Sequence, residues 1–594
     1  MRINTNYVNQ SQLDAVSRRS LLQNKENDYA AYKQWPGLSD YAITSDMEDA
    51  VVNWMRKCKE EYRQMTENLE FKYPGADMFC RQKEFIERSV LFEVFREMPK
   101  CSLLHIHNAA ALSTDGFISL LKDWAKSCDE GTGLAPIYIV VKPGGSKIPG
   151  TLLYNPDNQL QPFCESLSAF FKIQGAEEAL KNLISFSYAD RAEGISYIWD
   201  EFNEIFKRTG ALLENSDFYY YYHYRAFMEM IEDRIEYTEL RCSFTPFWDL
   251  ENTPQSFEPW NLEEWDAVAG KWICRNIPFL DKLTEAANAA RNDWNKTNPD
   301  DERKFSIGVI LSARRDLNVF DTASVKNQGD KLLMKMDAAI SMLGNPNYSK
   351  LIKGFDLVSE EDRGEMSYPL FSKGAYEAPG SGYTEDGNIV NAAAWQARSG
   401  YGEKRRIQLL DFYLHDGESL WAQNDNMYDA DVICPHRIGH GFNLAKYPAL
   451  TEIMASRAQA NDPEPAEPFL EICPISNQML RYFTDLRAHS AYELMKSGIK
   501  CVLGNDDPMI LGNPGLSYDF WEAYVGMELD MNEIKGLVFN AYVCEYLADR
   551  SYPIVQGADS YAFSTANMIQ DFNDLYWGPF LIRAYNMLHQ KGLI

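Results

Sequence analysis

The feature that most constrains this chain is a rhythm. Eight short apolar runs, at 103–107, 235–242, 305–312, 351–358, 407–415, 432–440, 469–473 and 499–503, are separated by helical or irregular stretches. Strands that alternate with helices build parallel sheets. Eight such units in a chain of this length are expected to close into a (β/α)8 TIM-type barrel, whose functional side chains sit where the strands end. At 594 residues the chain also has room for additions. Residues 1–97 are expected to be a helical extension. Ser45-Asp46-Met47-Glu48 is a capping-box pattern, and Met47, Val51, Trp54, Met55, Cys58 and Tyr62 follow at helical spacing. A second helical stretch runs through Phe85, Ile86, Val90, Leu91 and Val94 to Met98, and such stripes are expected to pack on a core. The barrel would then occupy 98–594. Residues 128–190 break its rhythm with a strand-like run at 136–141 and the Pro/Gly-rich 143–150, so they read as an insertion after the first strand with some sheet of its own.

A net charge of −28 argues against a nucleic-acid backbone or an anionic membrane surface as the main partner, while a local pocket can still take a small anion. The N-terminus has no apolar leader and no stretch is long enough to span a bilayer, so the chain is expected to be cytoplasmic; secretion stays open if a leader were removed ahead of Met1. The 11 cysteines include no CxxC pair and several lie in apolar runs, which favours reduced thiols.

Chemistry-bearing residues collect at the C-terminal ends of the runs. The first ends in His105-Ile106-His107-Asn108, and alternation along a strand sends both imidazoles to one face. The fifth ends in His415-Asp416-Gly417-Glu418, the sixth in Arg437-Ile438-Gly439-His440-Gly441, the seventh in Glu471-Ile472-Cys473-Pro474-Ile475-Ser476-Asn477, and the eighth is followed by Asp506-Asp507-Pro508. Four of the 8 histidines occupy these ends, a concentration that separate accidents do not readily produce. His105, His107, His415 and Asp506 supply three neutral nitrogens and one carboxylate, a shell that suits Zn2+ with one position left for water. Attack on an aromatic carbon needs a base near that water and an acid at the ring. His440 and Asp507 are placed to hold and deprotonate the water, and Glu418 to protonate a ring nitrogen. His436 and His489, off the strand ends, read as structural.

These stretches resemble the motifs of adenosine deaminases within the amidohydrolase superfamily. The likeness is strongest to the adenosine deaminase-related growth factor, or type-2, subfamily, and includes Met98-Pro99-Lys100, Gly354-Phe355-Asp356-Leu357-Val358 and Gly515-Leu516-Ser517-Tyr518-Asp519-Phe520. It covers roughly residues 95–590 with gaps. The resemblance implies one zinc on His105, His107, His415 and Asp506, proton transfer from Glu418 to purine N1, and attack at C6 by water activated through His440 and Asp507. It implies a pocket-lining role for Trp199, a receptor-binding use of the insertion, and a homodimer built on the N-terminal helices.

Several residues depart from the subfamily. Asn108 stands where a carboxylate contacts the ribose, Ser359 where a glycine backbone contacts the purine, and Arg314-Arg315 where a histidine lies near the sugar; a secretory signal and a disulfide pattern are missing. A neutral amide removes repulsion toward a 5′-phosphate and an arginine attracts it. The resemblance implies adenosine or 2′-deoxyadenosine as the expected substrate, with AMP, dAMP or ATP as the alternative these changes favour. A growth-factor-like binding protein with secondary catalysis is a further reading. An amidohydrolase that cleaves ring amides would more often carry two metals and a bridging lysine, and no such lysine stands at the corresponding strand end.

Overall fold

The computed structural model of the chain describes residues 46–67, 72–143, 147–186, 195–244, 247–248, 263–266, 271–274, 276–315, 322–362, 374–381, 401, 403–459, 468–548 and 568–594. Eight parallel strands form its centre, in two sheets of four. The first sheet takes β1 (Cys101–His107), β2 (Ile235–Ser243), β3 (Ser306–Arg314) and β4 (Ile352–Val358) in that order. The second takes β5 (Tyr413–Asp416), β6 (Arg437–His440), β7 (Phe469–Ile472) and β8 (Cys501–Leu503). The ladders are not continuous around the ring. Isolated parallel bridges stand at the two seams, Phe355 with Phe412 and Ile106 with Asp506. At the second seam the His107 amide donates to the Asp506 carbonyl at 3.0 Å and the Asp506 amide to the His105 carbonyl at 3.2 Å. The architecture is the (β/α)8 TIM type.

Strands β5 and β6 are shorter than the runs that predicted them. Residues 407–415 begin in a 3-10 turn, Arg406–Gln408, and 432–440 begin inside a helix, Asn426–Ile433, which ends at Cys434 with a left-handed φ of 56°. Periodicity in a short apolar run does not separate a strand from a buried helical turn. Likewise the helix expected to reach Met98 is two helices, Phe79–Arg88 and Val90–Glu97, divided at Ser89, whose hydroxyl accepts the Phe92 amide as an N-cap.

The helix Asp46–Met65 buries Val51 and Met55 and packs against the C-terminal helix Gly578–Gln590. Lys59, buried to the ammonium, donates to the carbonyls of Tyr524 and Leu529 at 3.1 and 2.7 Å. The capping Ser45 lies outside the described residues. Within 128–190 a three-stranded antiparallel sheet has Ile137–Val140 at its centre, with Leu152–Tyr154 and Cys164–Ser166 on either side. The ten described cysteines are free thiols, and no described helix is long and apolar enough to cross a membrane.

Candidate active site

The strand ends bring His105, His107, His415 and Asp506 together at one end of the barrel, with their donor atoms all within 4.8 Å of one another. Close packing of backbone makes this convergence feasible. A Cβ on Gly504 would stand 2.5 Å from the His105 Cβ, so only glycine lets β8 pass that close to β1. Asp506 itself has φ 59°, a left-handed turn that aspartate tolerates and that carries its carboxylate back over the strand ends. Its Oδ1 lies 3.1 Å from His107 Nε2 and 3.4 Å from His105 Nε2, and its Oδ2 accepts the Ser476 hydroxyl at 2.6 Å.

Buried carboxylates behind the histidines decide which nitrogen faces the centre. His105 Nδ1 donates to Glu471 Oε2 at 2.8 Å, and His415 Nδ1 to Asp356 Oδ2 at 2.7 Å. An ionised carboxylate only accepts, so both Nδ1 atoms carry the proton and both Nε2 lone pairs point inward. Burial alone would raise Glu471, yet Arg241, Arg437 and His105 hold it well below the usual carboxylate range. Asp356 is likewise held well down against burial, by His415 and Arg241. Burial depresses His415 to about 3, so its lone pair is available at neutral pH.

The network beneath extends further. Arg241 Nε donates to Asp356 at 2.7 Å and its Nη2 to Glu471. Arg437 Nε donates to Glu471 Oε1 at 2.6 Å, its Nη2 to Glu239, and its guanidinium lies 4.4 Å over the Tyr413 ring. Sequence reasoning assigned no role to Glu239, Arg241, Asp356 or Glu471. The available signal was an acid and a base spaced by two, Glu239 and Arg241, in the strand Ile235–Ser243.

The fit for a cation rests on one orphan. His105 Nε2 is fully buried and makes no hydrogen bond among the described residues; its neighbour at 3.4 Å, Asp506 Oδ1, is itself an acceptor and leaves the lone pair unused. An overlapping set, His105, His440, Cys473 and Asp506, is equally compact. Burial, with Asp506, pushes the Cys473 thiol well up, so it stays protonated and the three-histidine set is the better donor.

Glu418 lies beside this set, its Oε1 3.6 Å from His440 Nε2. Burial first, then Asp506 and Glu361, raises its carboxyl well above the ordinary value, which favours the protonated acid. Glu361 also fixes the turn, accepting the amides of Gly417 and Glu418 at 3.0 and 2.6 Å. Burial and the Asp506 charge raise Asp507 in the same way, and its Oδ1 is buried without a partner. Burial, then His105, holds His440 well below the usual imidazole range.

The expected substrate contacts are more dispersed. Asn108 is buried just past β1. Trp199 is buried in the helix Ile195–Thr209 and its Nε1 donates to the Tyr482 hydroxyl at 3.0 Å; Glu418 is near enough to Tyr482 to act on its charge. Ser359 adopts φ 98°, the glycine-like backbone its position requires. Arg314 is exposed at the end of β3, donating to Asn203 Oδ1 at 3.0 Å, with Ser359 Oγ at 3.4 Å. Its neighbour Arg315 turns inward and donates to the carbonyls of Leu357 and His415.

The fold is a parallel β/α barrel, and the donor set at its strand ends is one that could hold a metal ion. Residues 399–553 match the adenosine deaminase family model, a span that holds His415, Glu418, His440, Asp506 and Asp507. Over 477 residues the chain is 28% identical to adenosine deaminase 2 of Dictyostelium discoideum, covering 79% of this chain and 73% of that protein. Human adenosine deaminase 2 is 26% identical over 485 residues, with 79% and 78% covered. Among solved structures, an amidohydrolase from Burkhoderia ambifaria with bound zinc aligns at TM-score 0.45 and 14% identity, covering 87% of this chain and all of that one. The chain is thus similar to the adenosine deaminases over most of its length.

Proposed function

We propose that the substrate is adenosine or 2′-deoxyadenosine, converted to inosine or deoxyinosine and ammonia with one zinc ion held by His105, His107, His415 and Asp506. The observation that carries this reading is the pairing of a compact three-histidine and aspartate set with a buried carboxyl group, Glu418, beside it. Zinc bound there supplies Lewis acidity that brings water toward neutrality in pKa, and positive charge that favours ionised Asp507. Glu418 gives its proton to ring N1, which leaves C6 electrophilic. His440 and Asp507 hold the water over C6, and the proton it loses returns to the departing amine, so that water is consumed and ammonia released. Trp199 and the backbone at Ser359 line the purine side, and Asn108 faces the sugar.

A second reading, deamination of AMP, dAMP or ATP, is favoured by Asn108 in place of a carboxylate together with the exposed Arg314 guanidinium at the same rim. Zinc-loaded protein assayed in parallel on adenosine, deoxyadenosine, AMP and ATP separates the two. Nucleoside preference supports the first reading. Nucleotide preference, reversed by Asn108→Asp, supports the second. No turnover of any of the four by protein that carries zinc would overturn both and favour the binding-protein reading.

A further inference from the structure

His489, off the strand ends, is completely buried, as is Asn477, and the two connect to His440 through one chain of hydrogen bonds. The chain has a fixed starting point. The Ala491 backbone amide donates to His489 Nδ1 at 3.1 Å, and a backbone N–H has no choice of role. His489 Nδ1 is therefore an acceptor, and in a neutral imidazole the proton must sit on Nε2. Burial depresses His489 to about 3, in keeping with a neutral ring. Its Nε2–H meets Asn477 Oδ1 at 3.1 Å, which settles the orientation of that amide, since the reverse would set donor against donor. The Asn477 Nδ2 then donates to His440 Nδ1 at 3.1 Å. His440 Nδ1 is thus an acceptor as well, and its proton sits on Nε2, the atom 3.6 Å from Glu418 and 3.9 Å from Asp506.

We infer that His489 is a positioning residue which, through Asn477, sets the tautomer of His440 so that His440 presents an N–H, and not a lone pair, to the reacting atoms. Its kinetic side rests on the deaminase reading. There it divides the two roles: His440 orients the water oxygen as a donor, and Asp507, with its buried unpartnered Oδ1, is the group that takes the proton. Each link in the assignment is dictated by the one before it. Phe483, at 4.3 Å between ring centroids, packs against His489 and keeps the imidazole in place without offering it a competing polar partner.

The test is long-range proton–nitrogen correlation spectroscopy on histidine-labelled, zinc-loaded protein, with the His440 and His489 signals assigned from their loss in single variants. Wild-type protein is expected to have both rings protonated on Nε2. Asn477→Asp offers only acceptors and is expected to move the His440 proton to Nδ1. His489→Gln keeps a donor toward Asn477 and is expected to keep the His440 tautomer and near-wild-type turnover. His489→Leu removes the donor and is expected to lower kcat about a hundredfold, with KM little changed. A wild-type His440 protonated on Nδ1 would overturn the inference. So would equal losses in the Gln and Leu variants that follow thermal stability while the His440 signal stays unmoved. Nε2 protonation in a protein that deaminates nothing would support the relay while removing the deaminase reading, so the two fail separately.

Discussion

The two half-barrels are built differently. Strands β1 to β4 run to seven or nine residues, whereas β5 to β8 have three or four. The first half contributes two metal-type histidines and the base of the buried ionic layer; the second contributes His415, Glu418, His440, Asp506 and Asp507, each at or just past the end of a short strand. Short strands leave more of the chain to turns, and turns aim side chains. The cost is fewer ladder bonds, and the buried pairs Arg241–Glu471, Arg437–Glu239 and His415–Asp356 cross between the halves where the ladders do not. The scaffold and the chemistry are thus joined by charge more than by backbone.

The sharpest way to test that division is at Glu418, the proposed acid of the short-stranded half. Glu418→Gln is expected to lower kcat by about 10²- to 10⁴-fold with zinc content unchanged, measured by steady-state kinetics and metal analysis. A variant as active as wild type would move the acid elsewhere. Next is Arg241, the long-stranded half's link to Glu471 and Asp356. Arg241→Met removes the cation that Glu471 and Asp356 share, leaving Arg437 and the histidines as their remaining partners, and is expected to cost about 3–5 kcal/mol in urea unfolding. Unchanged stability would mean that the isolated seam bridges hold the halves together alone. Asp356→Asn tests whether the first half also tunes the metal set of the second; zinc affinity is expected to fall about 10- to 100-fold by competition with a chelator.

A further test is a pH dependence confined to the first half. His223 lies in the helix Ser216–Glu232, and burial lowers it to about 4 from an ordinary 6.5. The unfolded chain binds the proton more readily, so the stability His223 contributes is present above the unfolded value and is lost as pH falls from 6.5 toward 4, by about 1.4 kcal/mol per pH unit. His223→Phe is expected to flatten that limb of a denaturation series, and an unaltered slope would assign it to other groups.

The barrel and its four metal-type residues were legible because His and Asp are rare in apolar runs and four separate run ends carried them. Strand limits in the second half were not, since the run at 432–440 is apolar across both a helix end and a strand. Arg241 and Glu239 escaped because charge within a strand reads as an exposed edge, and only the folded ring puts Glu471 and Arg437 opposite them. His489 was set aside for lying off a strand end; its role depends on a backbone amide two residues on, a partnership that sequence spacing does not express.

Ser359, His440 and Asp506 share one feature, a left-handed backbone at a residue that is not glycine. Each such residue carries strain of about 1 kcal/mol or more. Three of the nine such positions among the described residues thus fall at this one rim, held in shape by the barrel it sits on. A sequence optimised for stability alone would be expected to replace these three positions early, and in doing so would relax the fold by discarding its purpose.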